Sequence, residues 1–240
     1  MPEIAKIGEF ALIDRLTKDI KDQNPSTLYG IGDDCAVLSY PDKQVFVSTN
    51  MFMEGVHFDL TYIDLQHLGY KVAMASMSNV FAMNGDPKQL TVALGIGRRL
   101  KIEDLDAFYD GLRMACAKWG VDIVGGDTTS SYTGVSICIT CIGEAEKDQV
   151  VYRHGANETD LVYVTGDLGA AYMGLQILER EKTVYYQQVD EARKKGDKQA
   201  LDALQNFEPD FAGKEYLIDR QLKPEARGDV IAALRQAGIR

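Results

Sequence analysis

The 240-residue sequence has few of the residues that carry thiol, redox or transition-metal chemistry: 4 cysteines, 3 histidines and 1 tryptophan. Cys138 and Cys141 have the spacing of a redox or metal-binding pair. They lie, however, in the alternating apolar run Val135–Ile142, where side chains three positions apart face opposite sides of a strand. We therefore expect buried free thiols, without a zinc knuckle.

Long apolar runs are also missing. No run approaches the roughly 18 residues that a membrane-spanning helix requires. The first segment, Met1–Ile13, lacks the basic-then-apolar order of a signal peptide, because Glu3 and Glu9 interrupt it. The sequence therefore predicts a cytoplasmic protein that does not bind membranes.

Basic residues are outnumbered, with 26 Lys and Arg against 36 Asp and Glu, which gives a formal net charge of −10. A surface field of this sign repels phosphate backbones and argues against general nucleic-acid binding. It does not exclude a nucleotide ligand, because Mg²⁺ and a few well-placed donors reverse the local field.

The apolar residues that are present indicate a globular protein of mixed helices and strands. Helical periodicity predicts helices over Phe10–Ile20, Leu65–Asn84, Ile102–Trp119 (closed by Gly120), from Gly169 to about Arg180, and over Glu225–Ala237. Apolar runs predict strands at Val45–Thr49, Leu90–Ile96, Val121–Val124, Val135–Ile142 and Leu161–Thr165, and Asp86-Pro87 predicts a turn.

The order of these elements bears on the fold class. They do not alternate strictly as β-α-β, so the pattern favours α+β layers. The polar stretch Glu144–Gln149 is the best candidate for a domain boundary. We predict an N-terminal α+β domain with a mixed sheet over 1–145, and the start of a second domain over 146–240.

The first candidate cluster is Gly30-Ile31-Gly32-Asp33-Asp34-Cys35-Ala36. Glycines let the backbone approach a ligand, and adjacent carboxylates hold a hard cation through oxygen. On an extended chain the two carboxylates point to opposite faces, so we expect only one of them to contact a metal. The same residues also suit a polar turn before a strand.

The second cluster is Val47-Ser48-Thr49-Asn50, followed by Glu54-Gly55-Val56-His57-Phe58. Hydroxyl and amide oxygens at a strand end can complete the coordination sphere of a cation. His57 can donate a hydrogen bond to an anionic substrate group, although a single histidine is more often structural.

Two further clusters are Gly125-Gly126-Asp127-Thr128-Thr129 and Tyr152-Arg153-His154-Gly155-Ala156. A buried strand that stops at Gly-Gly-Asp delivers a carboxylate at its carboxyl end, a common place for ligand sites; the alternative is a simple turn. Arg153 can pair with a nucleotide phosphate through its planar guanidinium, or lie on the surface as an ordinary arginine.

The order of the clusters resembles the thiamine-monophosphate kinases, which are related to aminoimidazole ribonucleotide synthetase and selenophosphate synthetase. The matching segments extend from about Phe10 to about Gly238. E-G-V-H-F and G-G-D-T-T at this spacing separate the kinases from those relatives. The segments are G-I-G-D-D-C-A, S-T-x-x-x-x-E-G-V-H-F, G-G-D-T-T, R-x-G-A and V-T-G.

The resemblance implies a Mg²⁺-dependent transfer of the ATP γ-phosphoryl group to thiamine monophosphate. It also implies that Gly126, Asp127 and Arg153 contact ATP, and that His57 contacts thiamine phosphate. No catalytic side chain is expected, because the acceptor phosphate is already anionic and the transfer needs positioning and charge neutralisation. The implied metal-binding residues are Asp34, Ser48, Thr49, Asn50, Asn79 and Asp127.

The family fold consists of two α+β domains per chain. The resemblance further implies a homodimer in which the N-terminal domains join their strands in a barrel-like sheet.

The sequence departs from the family pattern at several positions. Asn50 and Asn79 stand where the family usually has aspartates, which keeps a carbonyl oxygen and removes a negative charge. The family's D-I-S-D-G and G-G-E-D-Y segments do not occur before Arg240. We therefore expect a fragment or a natural truncation, with an incomplete second domain and no complete phosphoryl transfer by these 240 residues alone.

Two alternatives remain. A sister synthetase is disfavoured, because selenophosphate synthetase needs a reactive cysteine that would precede Cys35, and E-G-V-H-F argues against aminoimidazole ribonucleotide synthetase. A nucleotide-binding dimeric module of the same fold, without turnover, is favoured by the two asparagines and the missing acids.

Overall fold

A six-stranded mixed sheet carries the first half of the chain. The computed structural model describes residues 9–20, 23–204, 207 and 209–239. The spatial strand order is β1-β2-β3-β6-β4-β5, and only β4 and β5 are parallel. The strands are β1 (Thr27–Tyr29), β2 (Ala36–Ser39), β3 (Gln44–Met53), β4 (Asp86–Gly97), β5 (Asp122–Ser131) and β6 (Ser136–Ala145).

Helices α2 (Leu65–Ala82) and α3 (Ile102–Trp119) cover one face of the sheet. Strand alternation explains which face, because β6 buries every second side chain, including Ile137 and Ile139, beneath α2. The opposite face stays open, and Met51 on β3 is 62% exposed there. We call it the open face. The α+β class expected from the sequence is confirmed.

Two glycines allow α2 and α3 to pack very closely. A Cβ atom added to Gly69 would lie 2.0 Å from the backbone oxygen of Phe108, and one added to Gly111 would lie 1.9 Å from that of Gln66. The backbones therefore touch where side chains would normally separate them. This contact fixes α2, which carries Asn79, against the rest of the helical layer.

Of the remaining helices, those at Glu215–Leu222 and Gly228–Gln236 pack against α2. Glu225 accepts hydrogen bonds from Tyr70 on α2 (2.8 Å) and Lys118 on α3 (2.7 Å), and Arg235 donates to Asp86 (3.2 Å). Within the described residues, no strand follows Ala145, and no helix is long and apolar enough to cross a membrane. These helices are α1 (Glu9–Thr17), α4 (Ala170–Lys195), α5 (Lys198–Ala203), α6 (Glu215–Leu222) and α7 (Gly228–Gln236).

Several sequence predictions are wrong in detail. Residues 161–165 are not a strand, and Val162 is 92% exposed, because no neighbouring strand among the described residues offers hydrogen-bond partners. The turn lies at Met83–Gly85, with Asn84 at φ 61°, and Asp86 already begins β4. Helix α4 continues past Arg180 to Lys195.

The boundaries of the first and last helices also differ from the prediction, since α1 ends at Thr17 and α7 covers only Gly228–Gln236. The other expected helices and strands form. Cys35, Cys116 and Cys141 are buried free thiols as expected, whereas Cys138 is only half-buried. The division into domains at 145/146 stays a prediction.

Candidate nucleotide and metal site

Asp33 and Asp34 lie in the loop between β1 and β2 and face different surroundings. The Asp33 side chain is 1% exposed, and its Oδ2 accepts a hydrogen bond of 3.0 Å from the backbone N–H of Arg153. The Asp34 side chain is 38% exposed and pairs with the guanidinium of Arg153. Asp33 therefore anchors Arg153, and Asp34 presents its carboxylate to solvent. We call Asp33, Asp34 and Arg153 the acid–arginine cluster.

The guanidinium of Arg153 lies between two kinds of partner. The ring of Phe10 on α1 lies 5.9 Å from its central carbon, and the two aspartates flank it. Burial lowers the pKa of Arg153, but Asp34 and Asp33 outweigh this effect and raise it. The group is a fixed cation, suited to a phosphate, although its present partner is the predicted metal ligand Asp34.

Ser48, Asn50 and Asn79 form a second group, the amide cluster. The Asn79 amide nitrogen donates to Ser48 Oγ (2.7 Å) and to Asn50 Oδ1 (3.0 Å). Strand alternation sends Thr49 to the open face instead, where its hydroxyl bonds Thr140 at 2.9 Å. Of the four predicted metal residues on β3 and α2, three are therefore brought together: Ser48, Asn50 and Asn79. The side chain of Thr49 lies on the opposite face of the sheet.

The two clusters are neighbours because β2 pairs with β3. Ala36 lies opposite Val47, so the antiparallel register places Cys35 beside Ser48. Burial and the charge of Asp34 raise the pKa of Cys35 to about 12, so this thiol stays protonated. The resulting donor set is oxygen-rich, which fits a hard cation such as Mg²⁺.

His57 lies in the exposed loop after β3. Its Nδ1 accepts a hydrogen bond of 2.9 Å from the backbone N–H of Met53, so the ring proton resides on Nε2. Glu54 holds the base of this loop, because its carboxylate accepts from the backbone of Val135 (2.8 Å) and from Arg99 (2.5 Å). The Nε2–H of His57 is thereby available as a donor.

Gly126 and Asp127 lie inside β5, which continues to Ser131 as an exposed edge strand. The expectation of a buried strand ending at Gly-Gly-Asp is wrong. Asp127 pairs in register with Ala93 on the open face. Two strands separate β5 from β3, so at a spacing of about 4.8 Å these residues lie roughly 14 Å from the amide cluster.

Gly126 itself has a structural reason to be glycine. A Cβ atom there would lie 1.8 Å from the backbone oxygen of Val92, whereas one on Gly125 would meet nothing within 4 Å. The close approach that requires a glycine at position 126 is therefore the approach of β5 to the neighbouring strand β4. Within the part of the chain that the structure describes, no three His, Cys, Asp or Glu side chains form a group able to hold a metal.

Sequence reasoning missed the residues that support the site. Asp33 could have been distinguished from Asp34, since alternation predicts that one of the pair turns inward. Glu54 is part of the E-G-V-H-F motif, but the sequence alone assigned it no role. Asp59 accepts a hydrogen bond of 2.7 Å from Lys182, and no local pattern links residues 123 positions apart.

Comparisons with known proteins identify relatives of this chain. Residues 32–145 match the AIR synthase related protein, N-terminal domain family. The thiamine-monophosphate kinase of Salmonella typhimurium is 34% identical over 238 residues, which cover 97% of this chain and 64% of the relative. That of Aquifex aeolicus is 34% identical over 182 residues, covering 76% of this chain and 56% of the relative.

A solved structure described as AaThiL complexed with AMPPCP and TMP superimposes with a TM-score of 0.76 at 30% identity. The match covers 98% of this chain and 65% of that one. The chain spans about two thirds of the length of these relatives or less. The Salmonella relative and the solved structure match nearly the whole chain, and the family model matches residues 32–145, so the chain belongs to the thiamine-monophosphate kinase family of AIR synthase related proteins.

Proposed function

We propose that this chain is the metal- and nucleotide-binding part of a kinase that transfers the γ-phosphoryl group of ATP to thiamine monophosphate, giving thiamine diphosphate and ADP. The observation that carries the proposal is the convergence of the acid–arginine cluster and the amide cluster beside β2 and β3. A fixed cation, a solvent-facing carboxylate and neutral oxygens meet there. This combination suits a magnesium–nucleotide complex.

The residues take the following roles in this proposal. The guanidinium of Arg153 binds nucleotide phosphate, and Asp33 fixes its backbone. His57 donates from Nε2 to the phosphate of thiamine monophosphate. Mg²⁺, when bound, neutralises the charge of the transferred phosphoryl group. The residues that would hold it are Asp34, Ser48, Thr49, Asn50 and Asn79, together with Asp127.

Asp127 and Gly126 require a second chain in this proposal. They lie on the exposed edge strand, roughly 14 Å from the amide cluster of their own chain. An exposed edge strand tends to pair with another chain. The proposed homodimer joins the two open faces, so that Asp127, which lies on the open face, faces the partner subunit.

Nucleotide binding without turnover is the second candidate, and one observation favours it. The Asn79 amide turns its nitrogen, a donor, toward Ser48 and Asn50. A cation between these groups needs oxygen atoms there, so the amide must rotate before it can serve as a ligand. An aspartate at this position would need no such rearrangement.

Two measurements on the same preparation test the proposal. The first is calorimetric titration with AMPPCP at several Mg²⁺ concentrations, and the second is formation of thiamine diphosphate from ATP and thiamine monophosphate. The kinase is supported if AMPPCP binds in a Mg²⁺-dependent manner and a version extended through D-I-S-D-G forms product, whereas Mg²⁺-dependent binding with no product from either length supports the second candidate. If AMPPCP does not bind at any Mg²⁺ concentration, both candidates are wrong.

A further inference from the structure

Glu54 begins the exposed loop after β3 (residues 54–59, the His57 loop), and its charged side chain is only 15% exposed. Its Oε2 accepts a hydrogen bond of 2.8 Å from the backbone N–H of Val135, and its Oε1 accepts one of 2.5 Å from Arg99. The backbone N–H of Glu54 also donates to the carbonyl oxygen of Val135 (2.9 Å). One residue therefore joins three segments: the His57 loop, the segment after β4 and the turn between β5 and β6.

The turn between β5 and β6 is shaped to admit this carboxylate. Gly134 has a φ of 125°, a backbone conformation that favours glycine, and a Cβ atom there would lie 2.7 Å from Oε2 of Glu54. A second contact holds the same turn, because the guanidinium carbon of Arg98 lies 5.3 Å from the ring centre of Tyr132. The carboxylate of Glu54 thus has a seat whose walls are themselves held in place.

The two partners of the carboxylate require a glutamate at this position. The backbone N–H of Val135 and the guanidinium of Arg99 are both donors, and each contacts a different oxygen of Glu54. A carboxylate offers an acceptor to both donors, whereas a glutamine would turn its NH₂ group toward one of them. The seat therefore distinguishes glutamate from its closest neutral analogue.

The loop that Glu54 begins has little packing of its own. Residues 55–57 are exposed, and Phe58, 5% exposed, anchors the far end in the core. Within the loop, the backbone N–H of His57 donates to the carbonyl oxygen of Met53 (2.9 Å), and the N–H of Met53 donates to Nδ1 of His57 (2.9 Å). These bonds shape the loop but do not fix its place on the surface, so the contacts of Glu54 supply a fixed point at its first residue.

We propose that Glu54 is a positioning residue, which fixes the His57 loop against the turn between β5 and β6 and thereby sets the direction of the Nε2–H of His57. The strand β5, which carries Asp127, runs directly into this turn. The carboxylate of Glu54 therefore couples the histidine to the strand of Asp127. The relevance of this coupling to phosphate binding rests on the proposed function, whereas the coupling itself is a property of the chain without ligands.

The test follows the three histidines of the chain by NMR at about pH 8, where histidine is ordinarily neutral, with His57→Gln to assign the ring signals. In the parent protein, the ¹⁵N shifts of His57 should show one tautomer with the proton on Nε2. In Glu54→Gln, these shifts should move toward the average of the two tautomers. The backbone N–H of Met53 should exchange with solvent about tenfold faster.

Two further variants complete the comparison. Arg99→Met removes the other partner and should cause the same changes; its side chain is 77% exposed, so this variant decides the question if Glu54→Gln does not fold. Glu103→Gln, an exposed carboxylate in the first turn of α3, is the matched control and should change neither quantity. If Glu54→Gln and Arg99→Met match this control in the His57 tautomer and in Met53 exchange, the proposal is wrong.

Titration of the same samples with thiamine monophosphate separates this proposal from the proposed function. The Nε2 signal of His57 should move saturably in the parent protein, and the dissociation constant should rise about 3- to 10-fold in Glu54→Gln. Equal dissociation constants would refute the positioning role. If thiamine monophosphate does not move the His57 signals of the parent protein, His57 is not the phosphate donor, and the tautomer and exchange results still decide whether Glu54 fixes the loop.

Discussion

Individual side chains in this protein differ in role even when they are neighbours in sequence. Asp33 is buried and holds the backbone of Arg153, whereas Asp34 is exposed to solvent. Ser48 and Asn50 face α2, whereas Thr49 between them faces the other way. The pleat of β3 produces the second difference, whereas Asp33 and Asp34 lie in a loop and differ in the partners they meet. Predictions for single residues therefore depend on the surroundings that each side chain faces.

The first residue-scale prediction concerns Asp127→Asn. If Asp127 supplies a carboxylate to the metal–nucleotide complex, the neutral amide should weaken binding of magnesium AMPPCP about tenfold or more. The fold should be unchanged, because the side chain is exposed. Calorimetric titration measures the effect. Asp122→Asn, an exposed carboxylate on the same strand, is the control, and equal affinities of the two variants would exclude the ligand role.

The second residue-scale prediction concerns Asn50→Asp. Its carboxylate can still accept the hydrogen bond from Asn79, so the amide cluster keeps its shape while gaining a negative charge. The Mg²⁺ concentration needed for nucleotide binding should fall by about tenfold. The control is Asn24→Asp, which adds the same charge at an exposed position outside the amide cluster. A Mg²⁺ requirement that stays the same or rises would mean that the cluster works with neutral ligands.

At the scale of elements, helix α2 links the core to the site. One end of it packs on α3 through Gly69 and Gly111, and Asn79 further along it reaches β3. Helix α4 is tied to the His57 loop by Lys182 and Asp59. The geometry of the site therefore depends on contacts that lie far from it.

Gly111→Ala should destabilise the protein although alanine is the better helix former. The added methyl carbon would lie 1.9 Å from the backbone of Gln66, and such overpacking costs about 1–3 kcal/mol. That exceeds the gain of about 1 kcal/mol in helix propensity. Denaturant unfolding measures the difference. Gly120 has a left-handed backbone that an alanine rarely adopts, so Gly120→Ala is not a suitable control. Ser78→Ala on α2 is the control instead. A Gly111→Ala variant as stable as the parent would contradict the close contact.

The Lys182–Asp59 ion pair predicts a pH-dependent stability. Burial opposes ionisation of Asp59, but the hydrogen bonds from Lys182 and Thr61 outweigh it and hold its pKa below the usual value. The hydrogen bond that Lys182 donates to Asp59 raises the pKa of Lys182. Both groups are therefore charged at pH 7. The contribution of Asp59 is fully present above its unfolded pKa of about 3.9, and it is lost as the pH falls through the lower folded value.

Lys182→Met should accordingly lower the Tm by about 2–4 °C at pH 7. The difference from the parent should shrink as the pH falls below about 3.9. Lys195→Met removes an exposed lysine, 72% accessible, from the same helix and should have a smaller effect at both pH values. A deficit for Lys182→Met that is independent of pH would point to lost packing and not to the ion pair.

At the scale of the whole molecule, the open face carries exposed apolar side chains among the residues that the structure describes. Met51 and Val124 are 62% and 57% exposed, and β5 offers an unpaired strand edge. We predict a dimer through this surface. Met51→Arg should shift the protein to monomer in light scattering, and Ile102→Arg, on α3 away from the open face, should not. A parent protein that is monomeric at micromolar concentration would contradict the prediction.

Turnover is also a property of the whole molecule. We predict that the 240 residues do not complete phosphoryl transfer, whereas a version extended through D-I-S-D-G does. Loss of one well-placed electrostatic group commonly costs about 100- to 1,000-fold in rate. The thiamine diphosphate assay on both lengths measures this, and robust turnover by the 240 residues would refute the prediction.

The sequence by itself determined the local features of this protein. Periodicity located α2, α3 and β6, Gly120 marked the end of α3, and the motifs pointed to Asp34, Ser48, Asn50 and Arg153. These features depend on interactions between residues that are close in the chain, so local patterns encode them.

Only the tertiary structure decided how the features combine. Strand pairing placed β6 and β4 between β3 and β5, which moved Asp127 away from the amide cluster and onto the open face. It left residues 161–165 without a partner despite their strand-like sequence. It also joined Lys182 to Asp59. Such contacts join residues far apart in the chain, and the packing of the core, not a local pattern, selects them.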